Sequence, residues 1–171
     1  MNLNFNISSQ IQDDINTIEH ILDLKIFETI SDIYIQKSLF TQLMISLRDL
    51  IRKSEIYSNK IDFDDDVIKI TRPQKVSNVS DLIAFIRNAL CHEDSLNHKY
   101  NENITLSYNV LKGKFPNAIV IGQASISSDY EDDICIIFGF EKIYYHRHII
   151  RAFKECKNNL LPLLNNRLPE N

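Results

Sequence analysis

The spacing of apolar residues changes twice along this chain, and each change predicts a different kind of secondary structure. Between Ser8 and Leu90, apolar residues recur mostly every three or four positions, which is the period of amphipathic α-helices. Between Ile104 and Val110 they alternate with polar residues, as in a β-strand with one buried face. The helical spacing returns after Tyr144. The sequence therefore predicts an α+β fold, mainly α, with a β segment inserted before the last helix.

Four helices follow from this spacing, and together with the β segment they are expected to form a single domain of residues 1–171. The predicted helices span about residues 8–30, 32–57, 78–92 and 144–161. Ser8 or Ser9 is the expected N-cap of the first helix, and the third helix is expected to begin at about Ser77 or Ser80. Pro162 is expected to end the last helix, because proline cannot donate the backbone hydrogen bond that a helix interior needs.

The β insertion, from about residue 103 to 140, is predicted to be a three-stranded antiparallel meander. The candidate strands are 104–110, 118–126 and 134–140, separated by a turn at 113–117 and a polar segment at 127–133. A loop is expected at 57–76, of which 67–70 could be extended.

Charge and cysteine content limit the function classes. A formal net charge of −4 argues against a protein that holds nucleic acid by bulk positive charge, so any RNA contact must be local. Cys91, Cys135 and Cys156 are far apart and form no C-x-x-C pair, which favours reduced thiols over a disulfide framework or a zinc site. Without a signal-like start or an apolar run of about 18 residues, we expect a cytoplasmic protein with no membrane contact.

Arg87, Asn88 and His92 form the one constellation in the sequence that looks like a site. Arginine is a permanent planar cation suited to phosphate oxygens, and histidine can give and take a proton near neutral pH, so the pair indicates phosphodiester chemistry. A helical projection places Asn88 and His92 opposite the apolar stripe and Arg87 on its flank. Arg87 and His92 diverge by about 140° on an ideal helix, so they converge only if the helix unwinds near Cys91 or a second chain contributes.

The spacing Arg87-Asn88-x-x-x-His92 on the third predicted helix resembles the R-N-x-x-x-H signature of the HEPN superfamily. These are small helical proteins that include many metal-independent endoribonucleases. The resemblance implies a helical bundle, a homodimer that shares one active site, and no cofactor or metal. It further implies that an RNA 2′-hydroxyl attacks the adjacent phosphorus and leaves a 2′,3′-cyclic phosphate. His92 would move the proton, Arg87 would stabilise the phosphate, and Asn88 would orient His92 or the phosphate.

The same resemblance suggests a biological role. Bacterial members of the superfamily commonly act as toxins or in defence against phage, often beside a nucleotidyltransferase-type antitoxin. One alternative is a non-catalytic HEPN-like module that binds a protein or a nucleotide. In another, the motif residues have no function and belong to an ordinary solvated helix end, which Arg and His also suit. A His92→Ala variant separates the enzyme from the module. The enzyme would lose RNA cleavage, whereas the module would keep its binding.

Other polar groups are weaker candidates for a site. Arg147, Arg151 and Lys154 recur on one face of the last helix and form either an RNA-backbone track or an ordinary solvated face. His146 and His148 lie about 200° apart on a helix and cannot chelate one metal there.

The acidic stretch before Pro73 opens like a calcium loop at Asp62, Asp64 and Asp66. Val67 stands where that loop needs glycine, and Pro73 where it needs glutamate, so a calcium site is rejected.

Overall fold

The structure is a computed structural model that describes residues 3–67, 75–92, 99–101, 104–105, 108–139 and 141–165. It contains both α-helices and small antiparallel β-sheets, as the change in hydrophobic spacing predicts. The chain divides into two compact units, one formed by residues up to 63 together with those from 152 onward, and one formed by residues 64–151. The domain predicted for residues 1–171 thus contains two units, which are described separately below.

The first unit is helical, and its helices begin where side chains cap them. Its elements are α1 (Phe5–Asp23), α2 (Ile26–Thr29), α3 (Ile33–Tyr57) and nearly all of α5 (Arg151–Asn165). Asn4 caps α1 by accepting a hydrogen bond from the backbone N–H of Ile7 at 2.9 Å. The expected N-caps Ser8 and Ser9 both lie inside α1, so that prediction is wrong. The predicted helix 8–30 is also interrupted, because Lys25 has a φ of 48° and separates α1 from α2.

The long helix α3 packs against α1 and lies within one residue of its predicted bounds. Asp32 caps it by accepting hydrogen bonds from the N–H groups of Tyr34 and Ile35. An ion pair between Lys53 and Asp14, 2.6 Å from Nζ to Oδ2, joins the two helices. Both helices turn apolar faces inward, with fully buried residues that include Ile11, Ile18, Phe40, Leu43, Leu47 and Leu50.

Helix α5 corrects a prediction about proline. Pro162 lies inside α5, and the helix continues to Asn165. A proline costs its helix one backbone hydrogen bond, a loss that is tolerated when other contacts hold the helix in place. Here the buried residues Phe153, Cys156 and Leu160 precede the proline on the apolar face of the helix.

The second unit combines one α-helix with short antiparallel strands. Its helix is α4 (Val79–Cys91), and its strands are β1 (Lys99–Asn101), β2 (Ile104–Thr105), β3 (Asn109–Lys112), β4 (Phe115–Ile121), β5 (Ala124–Ser128), β6 (Ile134–Phe138) and β7 (Glu141–Tyr144). In the described residues β1 pairs with β2, β4 pairs with β5, and β6 lies between β3 and β7.

The predicted three-stranded meander is wrong in its middle strand. The segment 118–126 turns at Gly122, which has a φ of 60°, so β4 and β5 form a hairpin of their own. As a result β3 pairs directly with β6, with Leu111 opposite Cys135. The predicted turn at 113–117 is shorter than expected, because β4 begins at Phe115. Strand β7 was not predicted, and residues 68–70, 106–107 and 140 of the predicted extended segments lie outside the described residues.

Where the last predicted helix should start at Tyr144, the chain forms a π-helix from Tyr145 to Ile150 before α5 begins. Tyr144 belongs to β7 and to an apolar cluster with Ile126, Cys135 and Ile137. Among the helices of the described residues, none combines the length and apolar character needed to span a lipid bilayer.

Candidate functional site

The helix that carries the Arg-Asn-His motif, α4, starts with two side-chain hydrogen bonds to its backbone. The Asn78 side-chain oxygen accepts a hydrogen bond from the N–H of Asp81 at 3.0 Å, and the Asp81 carboxylate accepts one from the N–H of Ser77 at 3.0 Å. This resembles a capping box, except that Asp81 bonds the residue before the N-cap and not the N-cap itself. Asn78 is the N-cap, and the helix begins at Val79, between the predicted starts Ser77 and Ser80.

Burial along α4 places the motif away from the core. The buried residues of the helix are Val79, Leu82, Ile83, Phe85, Ile86 and Ala89. Arg87 and Asn88 are half-buried on the flank of this face, and His92 is exposed. The motif side chains consequently border solvent and contribute little to the apolar core.

The helix ends between the arginine and the histidine of the motif. Cys91 is the last helical residue, and His92 is the C-cap, with an extended backbone at φ −127° and ψ 104°. The N–H of His92 donates a hydrogen bond to the carbonyl oxygen of Asn88 at 3.1 Å. Because His92 has left the helical conformation, the divergence of about 140° expected for a continuous helix does not describe its side chain.

Asn88 contacts both other members of the motif. Its side-chain oxygen accepts a hydrogen bond from Nη1 of Arg87 at 3.2 Å, while its backbone carbonyl accepts the N–H of His92. Asn88 thus orients the guanidinium with its side chain and fixes the backbone of His92 with its carbonyl. The sequence predicted that the Asn88 side chain orients His92 or the phosphate, and the hydrogen bond to Arg87 was not expected.

Arg87 forms no ion pair with a carboxylate of the described residues. Its Nη1 donates a hydrogen bond to the neutral side-chain amide of Asn88. A half-buried guanidinium held in this way is suited to bind a phosphate oxygen.

The predicted cationic track on the last helix has a different structure. Arg147 lies in the π-helix, so the α-helical angle used to align it with Arg151 does not apply. Its guanidinium donates hydrogen bonds to Asp133 and Asp132, each at 3.0 Å, and stacks 3.7 Å from the ring centre of Tyr130. These carboxylates neutralise Arg147 within the fold.

Arg151 is also paired. Its Nη1 lies 2.7 Å from Oδ2 of Asp65, in the acidic loop whose Asp62-x-Asp64-x-Asp66 spacing resembles the opening of a calcium site. The adjacent Asp66 accepts a hydrogen bond from the hydroxyl of Tyr130. Lys154 lies exposed on α5. The three cations of the predicted track therefore differ in availability, since two of them are bound to carboxylates.

His148 is fully buried and has a structural role. Its Nδ1 accepts a hydrogen bond from the N–H of Tyr144 at 3.1 Å, and its Nε2 lies 3.1 Å from the carbonyl oxygen of Asp65. Since Nδ1 is an acceptor, Nε2 carries the proton and donates to Asp65. Burial lowers the pKa of His148, which keeps the ring neutral. Nearby His146 is exposed.

A buried carboxyl group stands apart from these networks. Glu141, on β7, is only 4% exposed, and its Oε2 has no hydrogen-bond partner among the described residues. Burial raises the pKa of Glu141 to about 7. Over the described residues no cluster of three or more His, Cys, Asp or Glu side chains is arranged to hold a metal ion.

Sequence reasoning missed the role of Asp133, whose side chain is completely buried. Its carboxylate accepts hydrogen bonds from the N–H groups of Ile134, His146 and Arg147, at 2.8 to 3.1 Å, as well as from the Arg147 guanidinium. A carboxylate suits the positive N-terminal end of a helix. The aspartate was visible in the sequence, but the helix start it caps lies more than ten residues away, beyond the reach of local spacing rules.

Comparison with known proteins supplies no relative. No protein-family model matches this chain, and neither a curated protein nor a solved structure matches it significantly.

Proposed function

We propose that this protein is a metal-independent endoribonuclease of the HEPN type. The observation that carries the proposal is the arrangement at the end of α4, where Asn88 joins an oriented Arg87 to an exposed His92. Among the carboxylates that the structure describes, none forms an ion pair with Arg87. These are the groups that phosphodiester cleavage without a metal requires, namely a fixed cation for the phosphate and a proton carrier beside it.

Arg87 acts on the charge that develops during cleavage. When the 2′-oxygen attacks phosphorus, negative charge grows on the non-bridging phosphate oxygens. A guanidinium already held in position stabilises this charge without having to reorganise during the reaction. The hydrogen bond from Arg87 to Asn88 supplies this positioning.

His92 moves the proton that the reaction transfers. The 2′-hydroxyl loses a proton as its oxygen bonds to phosphorus, and the 5′-oxygen gains one as its bond to phosphorus breaks. The products are a 2′,3′-cyclic phosphate and a 5′-hydroxyl. Histidine suits either transfer near neutral pH, and the exposed position of His92 lets RNA reach its ring.

A homodimer completes the proposed site. Two copies of His92 would provide one base and one acid, and two copies of Arg87 would give the cleft a local positive potential that a chain of net charge −4 lacks. By resemblance to HEPN proteins, such an enzyme would act as a toxin or phage-defence effector, restrained by a partner such as a nucleotidyltransferase-type antitoxin.

The test is cleavage of mixed cellular RNA by the purified protein in EDTA near neutral pH, with the fragment ends mapped. We expect cyclic phosphate ends from the wild type. Arg87→Ala and His92→Ala should each reduce the rate at least about 100-fold, the usual loss for a proton-transfer or charge-stabilising group. Circular dichroism should show unchanged folding, because both residues lie outside the buried face of α4.

Matched controls separate the motif from general surface effects. His146→Ala removes another exposed histidine, and Arg52→Ala removes an exposed arginine on α3, and both should cleave at the wild-type rate. Full activity in either motif variant would rule the mechanism out. Binding of RNA or nucleotide without cleavage, unchanged in His92→Ala, would establish the non-catalytic module instead.

A further inference from the structure

An acidic turn contacts the π-helix within the second unit. The N–H of Val67 donates a hydrogen bond to the carbonyl oxygen of Asp64 at 3.2 Å, which closes a turn of residues 64–67. We name it the acidic turn, because Asp64, Asp65 and Asp66 follow one another and are exposed. Asp66 has a φ of 60°, in the left-handed region. Such a conformation persists only where surrounding contacts hold it.

Side chains of the second unit hold the acidic turn at several points. Nε2 of His148 donates a hydrogen bond to the carbonyl oxygen of Asp65 at 3.1 Å, and the Asp65 carboxylate lies 2.7 Å from Nη1 of Arg151. The Asp66 carboxylate accepts a hydrogen bond from the hydroxyl of Tyr130. Among these four kinds of side chain, histidine is the one whose ordinary pKa lies within a few units of neutrality on the acid side.

His148 bridges the acidic turn and the end of β7. While its Nε2 donates to the turn, its Nδ1 accepts a hydrogen bond from the N–H of Tyr144 at 3.1 Å. A neutral imidazole has one donor and one acceptor nitrogen and therefore matches both neighbours, whereas an imidazolium has two donors. Protonated Nδ1 would face the N–H of Tyr144, donor against donor. The observed ring position is thus available to the neutral form alone.

The groups around the ring have opposing effects on its charge. Burial lowers the pKa of His148 and outweighs the carboxylates of Asp66 and Asp133, which favour the charged ring. The Arg151 guanidinium, at the start of α5, acts in the same direction as burial. The ring of Tyr144, edge-on at 5.5 Å between ring centres, is uncharged near neutral pH. A protonated His148 must therefore leave its buried position to reach water.

The acidic turn is the weaker of the two sides that enclose His148. On the other side, the buried carboxylate of Asp133 accepts hydrogen bonds from the N–H groups of His146 and Arg147, which fixes the start of the π-helix. The acidic turn lies at the surface, and the side chain of Asp65 is 67% exposed. Exposed segments with few buried contacts open at the lowest free-energy cost. Movement of the ring should accordingly displace the turn and leave the π-helix in place.

We propose that His148 is a pH switch for the acidic turn: the neutral ring holds the turn closed, and protonation of Nδ1 in mildly acidic solution releases the turn from the π-helix. Solvent supplies the proton. Release also carries the Asp65 carboxylate away from Arg151, so acid raises the positive potential at the start of α5. The proposal is independent of the ribonuclease proposal, since it uses neither Arg87 nor His92.

An NMR titration of the ¹⁵N-labelled protein from about pH 7.5 to about pH 5 tests the switch. The ring of His148 and the amide of Val67 should titrate with one common midpoint, below the ordinary histidine value of 6.5. Hydrogen exchange of the Val67 N–H, corrected for the intrinsic effect of pH, should increase at least about tenfold across that midpoint. Amides of α3 should keep their exchange rates, which distinguishes local opening from global unfolding.

A variant of Tyr130 distinguishes a switch from a histidine that titrates in place. Tyr130→Phe removes the hydroxyl that donates to Asp66 and changes no charge. If protonation and opening are coupled, a weaker closed turn must raise the midpoint of His148. The increase should be about 0.5 pH unit for a hydrogen bond of ordinary strength. Tyr34→Phe, at an exposed tyrosine of α3, is the matched control and should leave the midpoint unchanged.

His148→Gln tests whether the histidine itself is responsible. Glutamine offers an amide donor to the Asp65 carbonyl and cannot be protonated, so the turn should stay closed across the titration. Opening that persists in this variant overturns the role of His148. Unchanged exchange of the Val67 N–H while the wild-type ring titrates overturns the switch, and so does a midpoint that Tyr130→Phe does not move. The last two results need no His148 variant and decide the question even if His148→Gln fails to fold.

Discussion

Replacing Glu141 with glutamine should stabilise the protein, and the gain should depend on pH. Glu141 is buried, its Oε2 has no hydrogen-bond partner among the described residues, and burial raises its pKa from 4.5 to about 7. Between these two values the folded state holds a proton that the unfolded state has released. Stability from this group is therefore fully present below pH 4.5 and is lost as the pH rises through about 7.

The size of the effect follows from the two pKa values. They differ by about 2.5, and each pH unit corresponds to about 1.4 kcal/mol, so ionisation of Glu141 costs the folded state about 3 kcal/mol at pH 8. Glutamine has nearly the same shape as the protonated acid and cannot ionise. Glu141→Gln should raise the free energy of unfolding by about 3 kcal/mol at pH 8 and hardly change it at pH 4.5.

Urea unfolding of both proteins, followed by circular dichroism between pH 4.5 and 8, measures this difference. Glu131→Gln serves as the control, because Glu131 is exposed in the same unit and its replacement removes the same formal charge. A stability difference for Glu141→Gln that stays constant across this pH range would refute the reasoning, whatever its size.

Two further predictions concern the polar contacts of the π-helix. In the Glu141→Gln background, the free energy of unfolding should decrease below about pH 6.5 by up to about 1.4 kcal/mol per pH unit, since the unfolded chain gains a proton that buried His148 resists. Adding His148→Gln should flatten that dependence in urea titrations, and an unchanged slope would contradict the assignment. Asp133→Asn removes a buried carboxylate that pairs with the partly exposed Arg147 and accepts three backbone N–H groups, and it should cost about 2 kcal/mol in urea unfolding at pH 7. A decrease in the free energy of unfolding below about 1 kcal/mol would show that the contacts of Asp133 contribute little to stability.

The sequence predicted the helices of this fold better than its strands, for a physical reason. Helix periodicity is local and repeats over many turns, so α3 was placed to within one residue by its apolar spacing. Strand alternation extends over only a few residues, and a two-residue turn interrupts it by shifting its phase a single position. The apolar and polar residues between Ala118 and Ile126 therefore looked like one strand although the chain reverses at Gly122.

For the candidate site, the sequence could identify residue types but not their partners. The spacing of Arg87, Asn88 and His92 was visible, whereas the end of the helix at Cys91 depends on a backbone conformation that spacing does not encode. Arg147 looked like an available cation because the sequence shows its charge but not the residues that surround it. Its neutralisation by Asp133 joins residues fourteen apart, which only the fold brings together.

The ion pairs of Arg147 and Arg151 also affect how a polyanion would approach the second unit. Each guanidinium forms a short-range dipole with its carboxylate, and a dipole field decays faster with distance than that of a single charge. Because carboxylates already neutralise them, these residues would displace few of the counterions condensed on RNA and exert little long-range attraction on it. Arg147 and Arg151 therefore add little electrostatic steering, and the rates at which RNA encounters this surface should vary only weakly with ionic strength.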